Sequence, residues 1–153
     1  MKVIMNNDYF QIDTAREQAL SRGREDEFKY IQSLVEKFHT VSNESVFYPQ
    51  NMFEVSKGYK LFFFLENEVV IGESILNKEQ KELATITRMK YINVKEVKLS
   101  YLEMTLQSTV LPNTLEITFD NGKSIFLDSV VDSKDKKVNS FINKIERIYL
   151  MLK

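Results

Sequence analysis

The stretch KLFFFLENEVVIGESIL, residues 60–76, decides how the central part of the chain folds. It holds two apolar runs on either side of Glu66-Asn67-Glu68, which predicts an antiparallel hairpin. A strand that covers one face of a core needs an apolar residue only at every second position, yet this hairpin is apolar on both faces. Gly72 removes one side chain and lets another element approach closely. The second face is therefore covered either by the chain itself or by another chain.

A helix that precedes the hairpin could provide this cover. Between Arg24 and Phe38 the apolar residues recur at steps of three and four, which indicates an amphipathic helix. We expect this helix to lie on the outer face of the hairpin, over Phe62 and Phe64. These two phenylalanines are also candidate partner-binding residues, because a second protein is the alternative cover for them.

Strands and turns dominate the chain after residue 50. Strands are predicted at residues 53–56, 59–65, 69–76, 84–91, 94–104, 115–119 and 124–127. Residues 77–82 are charged and predict a solvated loop. Asn121-Gly122 lies between two alternating runs, which predicts a hairpin with a type I′ turn and positive φ at both residues.

Helices are predicted at both ends of the chain. A first helix is indicated around Thr14–Leu20, with a break at Gly23. The last helix carries an apolar stripe from Val138 to Leu152, and its polar side includes Lys144. Asp132 or Ser133 is expected to cap its N-terminus.

The order of helix, about seven strands and helix predicts an α+β fold with an antiparallel sheet. The expected division is an N-terminal helical extension at residues 1–50 and a sheet domain with a C-terminal helix at residues 51–153. Strands and helices do not alternate, which argues against a nucleotide-binding fold of the doubly wound type.

Composition excludes several classes of protein. The 153 residues include no cysteine, which excludes disulfides and thiolate chemistry. The 21 basic and 22 acidic residues are balanced, whereas a nucleic-acid-binding domain is usually basic. Polar residues Asn6, Asn7 and Asp8 interrupt the N-terminus, and no apolar run approaches the roughly 20 residues of a membrane-spanning helix. We therefore expect a soluble cytoplasmic protein that does not bind nucleic acid.

Residues 51–153 resemble the pleckstrin-homology-like (PH-like) domains found in many uncharacterised bacterial proteins, and the whole chain resembles a small Gram-positive bacterial family of unknown function. The resemblance lies in the hairpin LEITFDNGKSIFL, the terminal helix VNSFINKIERIYLMLK and the preceding segment YINVKEVKLSYL. It implies a bent antiparallel sheet or barrel of about seven strands, closed by the C-terminal helix. Relatives of this kind include peptide binders, scaffolds and phosphoinositide binders. The last carry basic residues between their first two strands, a loop that we assign here to the acidic residues 66–68.

The sequence contains few candidates for catalysis. The only histidine, His39, follows a predicted helix, where a cation is favoured by the helix dipole. The four glycines are scattered, so a glycine-rich phosphate loop is excluded. The spacing of the aspartates between residues 120 and 135 does not match a calcium loop. A carboxylate enzyme would have to use Glu73, Asp120 or Asp128 with a tyrosine.

Basic residues supply the other candidate binding sites. Arg88 and Lys90 share a strand face beside Tyr91, a pattern that fits single-stranded nucleic acid but equally fits an edge strand protected by charge. Lys134 and Lys137 belong to a short basic run, together with Lys136, that could meet a phosphate or an acidic partner. A membrane-surface protein would use this run with Lys57 and Lys60.

The sequence does not assign a function by itself. It favours a non-catalytic protein-interaction or scaffold module that needs no cofactor or metal and whose partner is another protein or a second copy. A lipid-headgroup adaptor and a small carboxylate-based enzyme are the alternatives.

Overall fold

The computed structural model describes residues 10–54, 56–75, 83–102, 111–134 and 136–153. Two helices come first, α1 (Ile12–Ser21) and α2 (Glu25–Phe38). Sheet A contains β1 (Val46–Gln50), β2 (Lys60–Phe64), β3 (Glu68–Ile75) and β4 (Leu83–Lys90), in that order across the sheet. A short 3-10 turn, Tyr91–Asn93, leads to sheet B with β5 (Val94–Tyr101), β6 (Asn113–Phe119) and β7 (Ser124–Asp128). Helices α3 (Ser129–Ser133) and α4 (Val138–Met151) follow.

All strand pairs in both sheets are antiparallel, which confirms the α+β class and the antiparallel connectivity. The hairpin at residues 60–76 is confirmed through Ile75, and the helix break falls at Gly23, whose φ is 71°. The predicted strand residues 76 and 103–104 and the predicted loop 77–82 lie outside the described residues.

Helix α2 covers the hairpin on the face opposite to the expected one. Gly72 pairs with Leu61 in the strand register, and Ile31 of α2 packs directly on Gly72. The ring of Phe28 lies 6.1 Å from that of Phe47, which in turn lies 5.4 Å from Phe63. The expectation that α2 lies over Phe62 and Phe64 is wrong, because the close approach at Gly72 fixes the helix on the Leu61 face.

Phe62 and Phe64 face a second layer of core. Phe62 lies 6.4 Å from Tyr48, and Tyr48 lies 5.3 Å from Phe141 of α4. The rings of Phe62 and Phe64 stack with their centroids 6.1 Å apart. Phe62 is 1% exposed and Phe64 is fully buried. Both faces of the hairpin are thus covered within the chain.

The first strand begins earlier than the sequence indicated. Residues 46–50 form β1, which lies at the edge of sheet A and pairs with β2. Pro49 is compatible with this place because an edge strand has one side free of ladder hydrogen bonds. The strand predicted at residues 53–56 is wrong, since its described residues lie in the connection from β1 to β2. The loop between the first two strands is therefore residues 51–59, not residues 66–68 as assigned from the sequence.

The β6–β7 hairpin has a different turn from the one predicted. Only Gly122 has a positive φ, of 86°, while Asn121 does not. The amide of Gly122 donates to the carbonyl oxygen of Phe119, and the amide of Phe119 donates to that of Lys123. This is a three-residue loop with glycine in the left-handed position, so the type I′ prediction is wrong.

The C-terminal region also departs from expectation in two details. Asp132 and Ser133 belong to α3, and α4 begins at Val138 after Lys137, so neither residue caps the last helix. Lys144, expected on the polar side of α4, is fully buried, with its Nζ 5.5 Å from the ring centroid of Phe47. Its aliphatic stem allows this burial, since lysine can place four methylene groups against apolar surface.

Candidate functional site

Three connections of the fold meet at one surface. They are the α1–α2 connection, the β1–β2 loop and the α3–α4 connection. We call this region the cationic surface, because it carries the side chains of Arg22, Arg24, Lys57, Lys134, Lys136 and Lys137. The contacts below show how these residues are brought together.

Phe53 is the centre of the cationic surface. The guanidinium carbon of Arg22 lies 5.8 Å from the ring centroid of Phe53, and Nζ of Lys136 lies 5.5 Å from it. On its inner side the ring packs 5.7 Å from Phe10. Cations are attracted to an aromatic face by its quadrupole. A half-buried ring in the β1–β2 loop therefore joins cations whose sequence positions are more than 100 residues apart.

Arg24 ties the α1–α2 connection to the same loop. Its guanidinium carbon lies 4.0 Å from the ring centroid of Tyr59. Its Nη1 donates to the carbonyl oxygen of Glu54 at 2.9 Å, and its Nη2 donates to that of Lys57 at 2.7 Å. Two further hydrogen bonds, of 2.9 and 2.8 Å, reach the carboxylate of Glu27. Arg24 thus fixes the loop backbone while Glu27 offsets its charge.

Glu27 continues this network into sheet A. Its side chain is 4% exposed and accepts hydrogen bonds from the amide of Tyr59, at 3.1 Å, and from the hydroxyl of Ser74. The backbone at Gly58 approaches β3 so closely that a Cβ there would lie 1.8 Å from the carbonyl oxygen of Ser74. The end of the loop is therefore held in one conformation.

The lysines of the cationic surface differ in their partners. Nζ of Lys134 lies 2.6 Å from Oε1 of Glu54, and this hydrogen bond lowers the pKa of the Glu54 carboxyl. Lys57, Lys136 and Lys137 are exposed, and none forms an ion pair with another described residue. Three ammonium groups are thus available to an external anion.

Two polar atoms beneath this surface are buried without a hydrogen-bond partner among the described residues. They are Nε of Arg22 and the hydroxyl of Tyr59. Burial raises the pKa of the Tyr59 hydroxyl, against the opposing effect of the nearby Arg24 charge. Nε of Arg22 is a donor only, whereas the neutral tyrosine hydroxyl can both donate and accept a hydrogen bond.

The six predicted partner-binding residues fall in three places. Lys134 and Lys137 lie on the cationic surface. Arg88 and Lys90 are exposed on the edge strand β4, paired with Val70 and Glu68 at the end of sheet A that lies away from the β1–β2 loop. Phe62 and Phe64 are in the core. The sequence interpretation missed Arg22, Arg24 and Phe53. The two arginines flank the break at Gly23, which was their only signal, and Phe53 had no comparable signal.

The carboxylates proposed for an enzyme lie apart. Glu73 on β3 pairs with Lys60 across the sheet, with Nζ 3.7 Å from Oε1. Asp120 is exposed in the β6–β7 turn. Asp128 ends β7, where its Oδ1 accepts hydrogen bonds from the first amides of α3. The three residues thus lie in different elements, and Glu73 and Asp128 each have a partner within the fold.

The half-buried carboxylate of Asp132 connects β1 to α3. Oδ2 of Asp132 accepts hydrogen bonds from the hydroxyl of Tyr48 at 2.6 Å, from Nε2 of Gln50 at 3.2 Å and from the amide of Asp128 at 2.9 Å. Burial raises the pKa of Asp132, although the Tyr48 hydrogen bond opposes this effect. Burial and the Asp132 charge raise the pKa of Tyr48. Every contact is internal, so the cluster serves to hold the elements together.

His39 lies at the end of α2, as the sequence indicated. Its backbone is extended, and Nδ1 lies 3.3 Å from Oε2 of Glu68. In the part of the chain that the structure describes, no three histidine, aspartate or glutamate side chains come together as metal ligands would. No described helix is long and apolar enough to cross a membrane. The cytoplasmic location stays a prediction.

The fold and the site define a small α+β domain that offers a charged, exposed surface built from three connections. The chain belongs to the family described as "Protein of unknown function (DUF3908)", whose sequence profile matches residues 1–144. Neither the curated proteins nor the solved structures gave a significant match.

Proposed function

We propose that the protein is a non-catalytic interaction module of PH-like fold, and that its cationic surface binds an acidic segment of a partner protein. The seven antiparallel strands and the C-terminal helix support this fold, because the PH-like resemblance implies about seven strands closed by such a helix. The strand β1 lies just before residues 51–153, to which the PH-like resemblance was assigned. The helices α1 and α2 form an additional layer that PH-like domains are not expected to have.

The observation that carries the proposal is the convergence on Phe53. Two cations from opposite ends of the chain lie over one ring, and Arg24 fixes the loop that bears it. Fixed donors lose less entropy on binding than flexible ones, so a surface of this kind favours recognition of a charged partner. The exposed Lys57, Lys136 and Lys137 supply the free charge.

The surface is of mixed charge, which favours a discrete acidic segment over a diffuse anionic layer. Glu27 and Glu54 each neutralise one cation within it. Attraction to a membrane grows with the number of unpaired basic residues, by roughly 1 kcal/mol each. A protein segment can instead place each carboxylate beside one of the three free lysines. The separation of Glu73, Asp120 and Asp128 supports the non-catalytic part of the proposal.

A membrane-surface adaptor is the second candidate. The observation in its favour is the position of the cationic surface on the loop between the first two strands, where phosphoinositide-binding PH-like domains carry their basic residues. The acidic residues 66–68, which spoke against this function, lie instead at the β2–β3 turn and the first position of β3.

The test compares two triple variants with equal changes of charge. Lys57, Lys136 and Lys137 are replaced by glutamate in one, and Lys37, Lys123 and Lys153, also exposed, in the other. Each is titrated against a fluorescein-labelled poly-glutamate peptide and against vesicles of phosphatidylcholine with and without phosphatidylserine. We expect the peptide to bind the wild type and the second variant, and to bind the first about tenfold or more weakly, since each exposed ion pair contributes up to about 1 kcal/mol.

The vesicles distinguish the two candidates. Binding to phosphatidylserine vesicles without binding to the peptide would replace the leading proposal by the membrane adaptor, provided that only the first triple variant loses it. Equal weakening by both triple variants would show a nonspecific response to net charge and would contradict both candidates.

A further inference from the structure

The strand β5 is an edge that the rest of the described chain leaves open. It pairs only with β6 among the described strands. The strands β1, β4 and β7 are also edges of their sheets. Helices α3 and α4 contact β1, α3 contacts β7, and α2 packs across the face of sheet A beside Gly72 and Ile86. A shallow cavity of about 580 Å³ runs along β5, lined by Glu96, Val97, Lys98, Leu99 and Tyr149. An open strand edge is a template for pairing with another strand.

Helix α4 flanks this edge. The hydroxyl of Tyr101, at the end of β5, donates a 2.5 Å hydrogen bond to Oε2 of Glu146. One turn later, Tyr149 lines the cavity beside residues 96–99. Tyr101 is 48% exposed and Leu150 is 60% exposed, so apolar surface accompanies the open backbone. A strand added to β5 would therefore contact side chains of α4 as well.

We propose that the occupant is β5 of a second copy of this chain, paired antiparallel about a two-fold axis at Val97. The sequence VKEVKLSY is self-complementary in this register. Glu96 of each copy lies opposite Lys98 of the other, and Val97 lies opposite its own counterpart. Opposite charges directly across two strands stabilise the pairing, whereas like charges destabilise it.

The charges also specify the register. A two-fold axis at Glu96 would place two glutamates opposite each other, and an axis at Lys98 would do the same with two lysines. Within the chain, Lys98 already pairs with Glu116 of β6, and Glu96 pairs with Thr118. In the dimer each Lys98 would therefore lie between two glutamates of neighbouring strands. The contact is isologous, so the same β5 edge of each copy is paired in the dimer and neither edge remains open for a third copy.

Charge exchange tests the pairing directly. The mass of the wild type is measured by light scattering after gel filtration over a range of concentrations, and we expect a dimer. E96K places two lysines opposite each other, K98E places two glutamates opposite each other, and each is expected to weaken the dimer about tenfold or more. The double variant E96K/K98E restores opposite charges and should restore the dimer.

An introduced disulfide tests the register. The chain has no cysteine, so V97C provides the only thiol. Mild oxidation should link two copies through residue 97, because residues on the axis face each other at nearly disulfide distance. K95C is the control, since Lys95 would lie opposite Leu99 and its thiols would be far apart. Thermal unfolding of every variant distinguishes dissociation of the dimer from loss of the fold. E96K is the more informative single variant, because Glu96 pairs with the uncharged Thr118 within the chain and its replacement disturbs no internal charge pair.

A monomer at all concentrations would overturn the inference. So would a dimer that persists in both single variants, or one that the double variant fails to restore. Equal crosslinking of V97C and K95C would contradict the proposed register. None of these results bears on peptide binding by the cationic surface, which uses other residues.

Discussion

Ile31 of α2 packs on Gly72 of β3 with no room for a side chain between them. A Cβ built on Gly72 would lie 2.2 Å from Cγ2 of Ile31. Real carbon atoms do not approach to this distance, so the glycine sets both the height of α2 above sheet A and the face on which it lies. The position of α2 in turn places Arg24 and Glu27 at the β1–β2 loop.

Gly72→Ala is expected to lower the free energy of unfolding by about 1–3 kcal/mol, because an added methyl group in a packed interface forces the helix away from the sheet. Urea denaturation measures the change. In the double variant with Ile31→Ala the added methyl group has space, so the two effects should be less than additive. Full additivity would contradict the direct contact.

Glu27→Gln is expected to destabilise the protein by about 2–4 kcal/mol. Removing one partner of a buried charge pair costs roughly 3–5 kcal/mol, and Arg24 here keeps some contact with solvent. Glu25→Gln is the matched control on the same helix, since Glu25 forms a partly exposed pair with Lys29 at 3.4 Å and should change stability by less than about 0.5 kcal/mol. Similar losses in both variants would refute the role of Glu27.

Asp132 predicts a pH dependence of stability. Its pKa is raised in the folded state, chiefly by burial, so the folded chain holds this proton at pH values where the unfolded chain has released it. The Asp132 contribution to the free energy of unfolding therefore falls as pH rises from about 4 through the raised value. In the Asp132→Asn variant, this decrease in the free energy of unfolding with rising pH should be absent. Urea denaturation of both proteins at a series of pH values measures it. If the free energy of unfolding depended on pH in the same way in both proteins, Asp132 would not be the cause.

The hydroxyl of Tyr101 should lose its proton at a higher pH than an ordinary tyrosine. The hydrogen bond to Glu146 raises the pKa of its hydroxyl to about 12. Glu146→Gln removes the negative acceptor and should return this pKa toward the ordinary value of 10.0. Ultraviolet absorbance of the phenolate measures the titration, and the difference from a Tyr101→Phe protein isolates this tyrosine. An unchanged pKa in the glutamine variant would mean that Tyr101 and Glu146 do not interact in solution.

Local patterns in the sequence predicted most of the helices and strands. The stripe of α2 and the alternation in β6 depend on neighbouring residues, so a short window reveals them. The face on which α2 lies depends on the pairing of Leu61 with Gly72, which is a long-range register. The strand β1 was missed because Pro49 suggested a break, although an edge position tolerates it.

The candidate site was only partly predictable for the same reason. Lys134 and Lys137 were visible as a basic run. Arg22 and Phe53 come close to these lysines only because three connections of the fold lie side by side. No local sequence pattern predicts that proximity. Arg88 and Lys90 looked equally basic in the sequence, but the topology puts them at the far end of sheet A.

The central claim is that the cationic surface binds an acidic partner, and the ratio of two affinities tests it most directly. Fluorescence anisotropy gives the dissociation constant of the poly-glutamate peptide for K57E/K136E/K137E and for K37E/K123E/K153E at the same ionic strength. The account predicts that the first variant binds about tenfold or more weakly than the second, although both carry the same net charge. Equal dissociation constants for the two variants would contradict it.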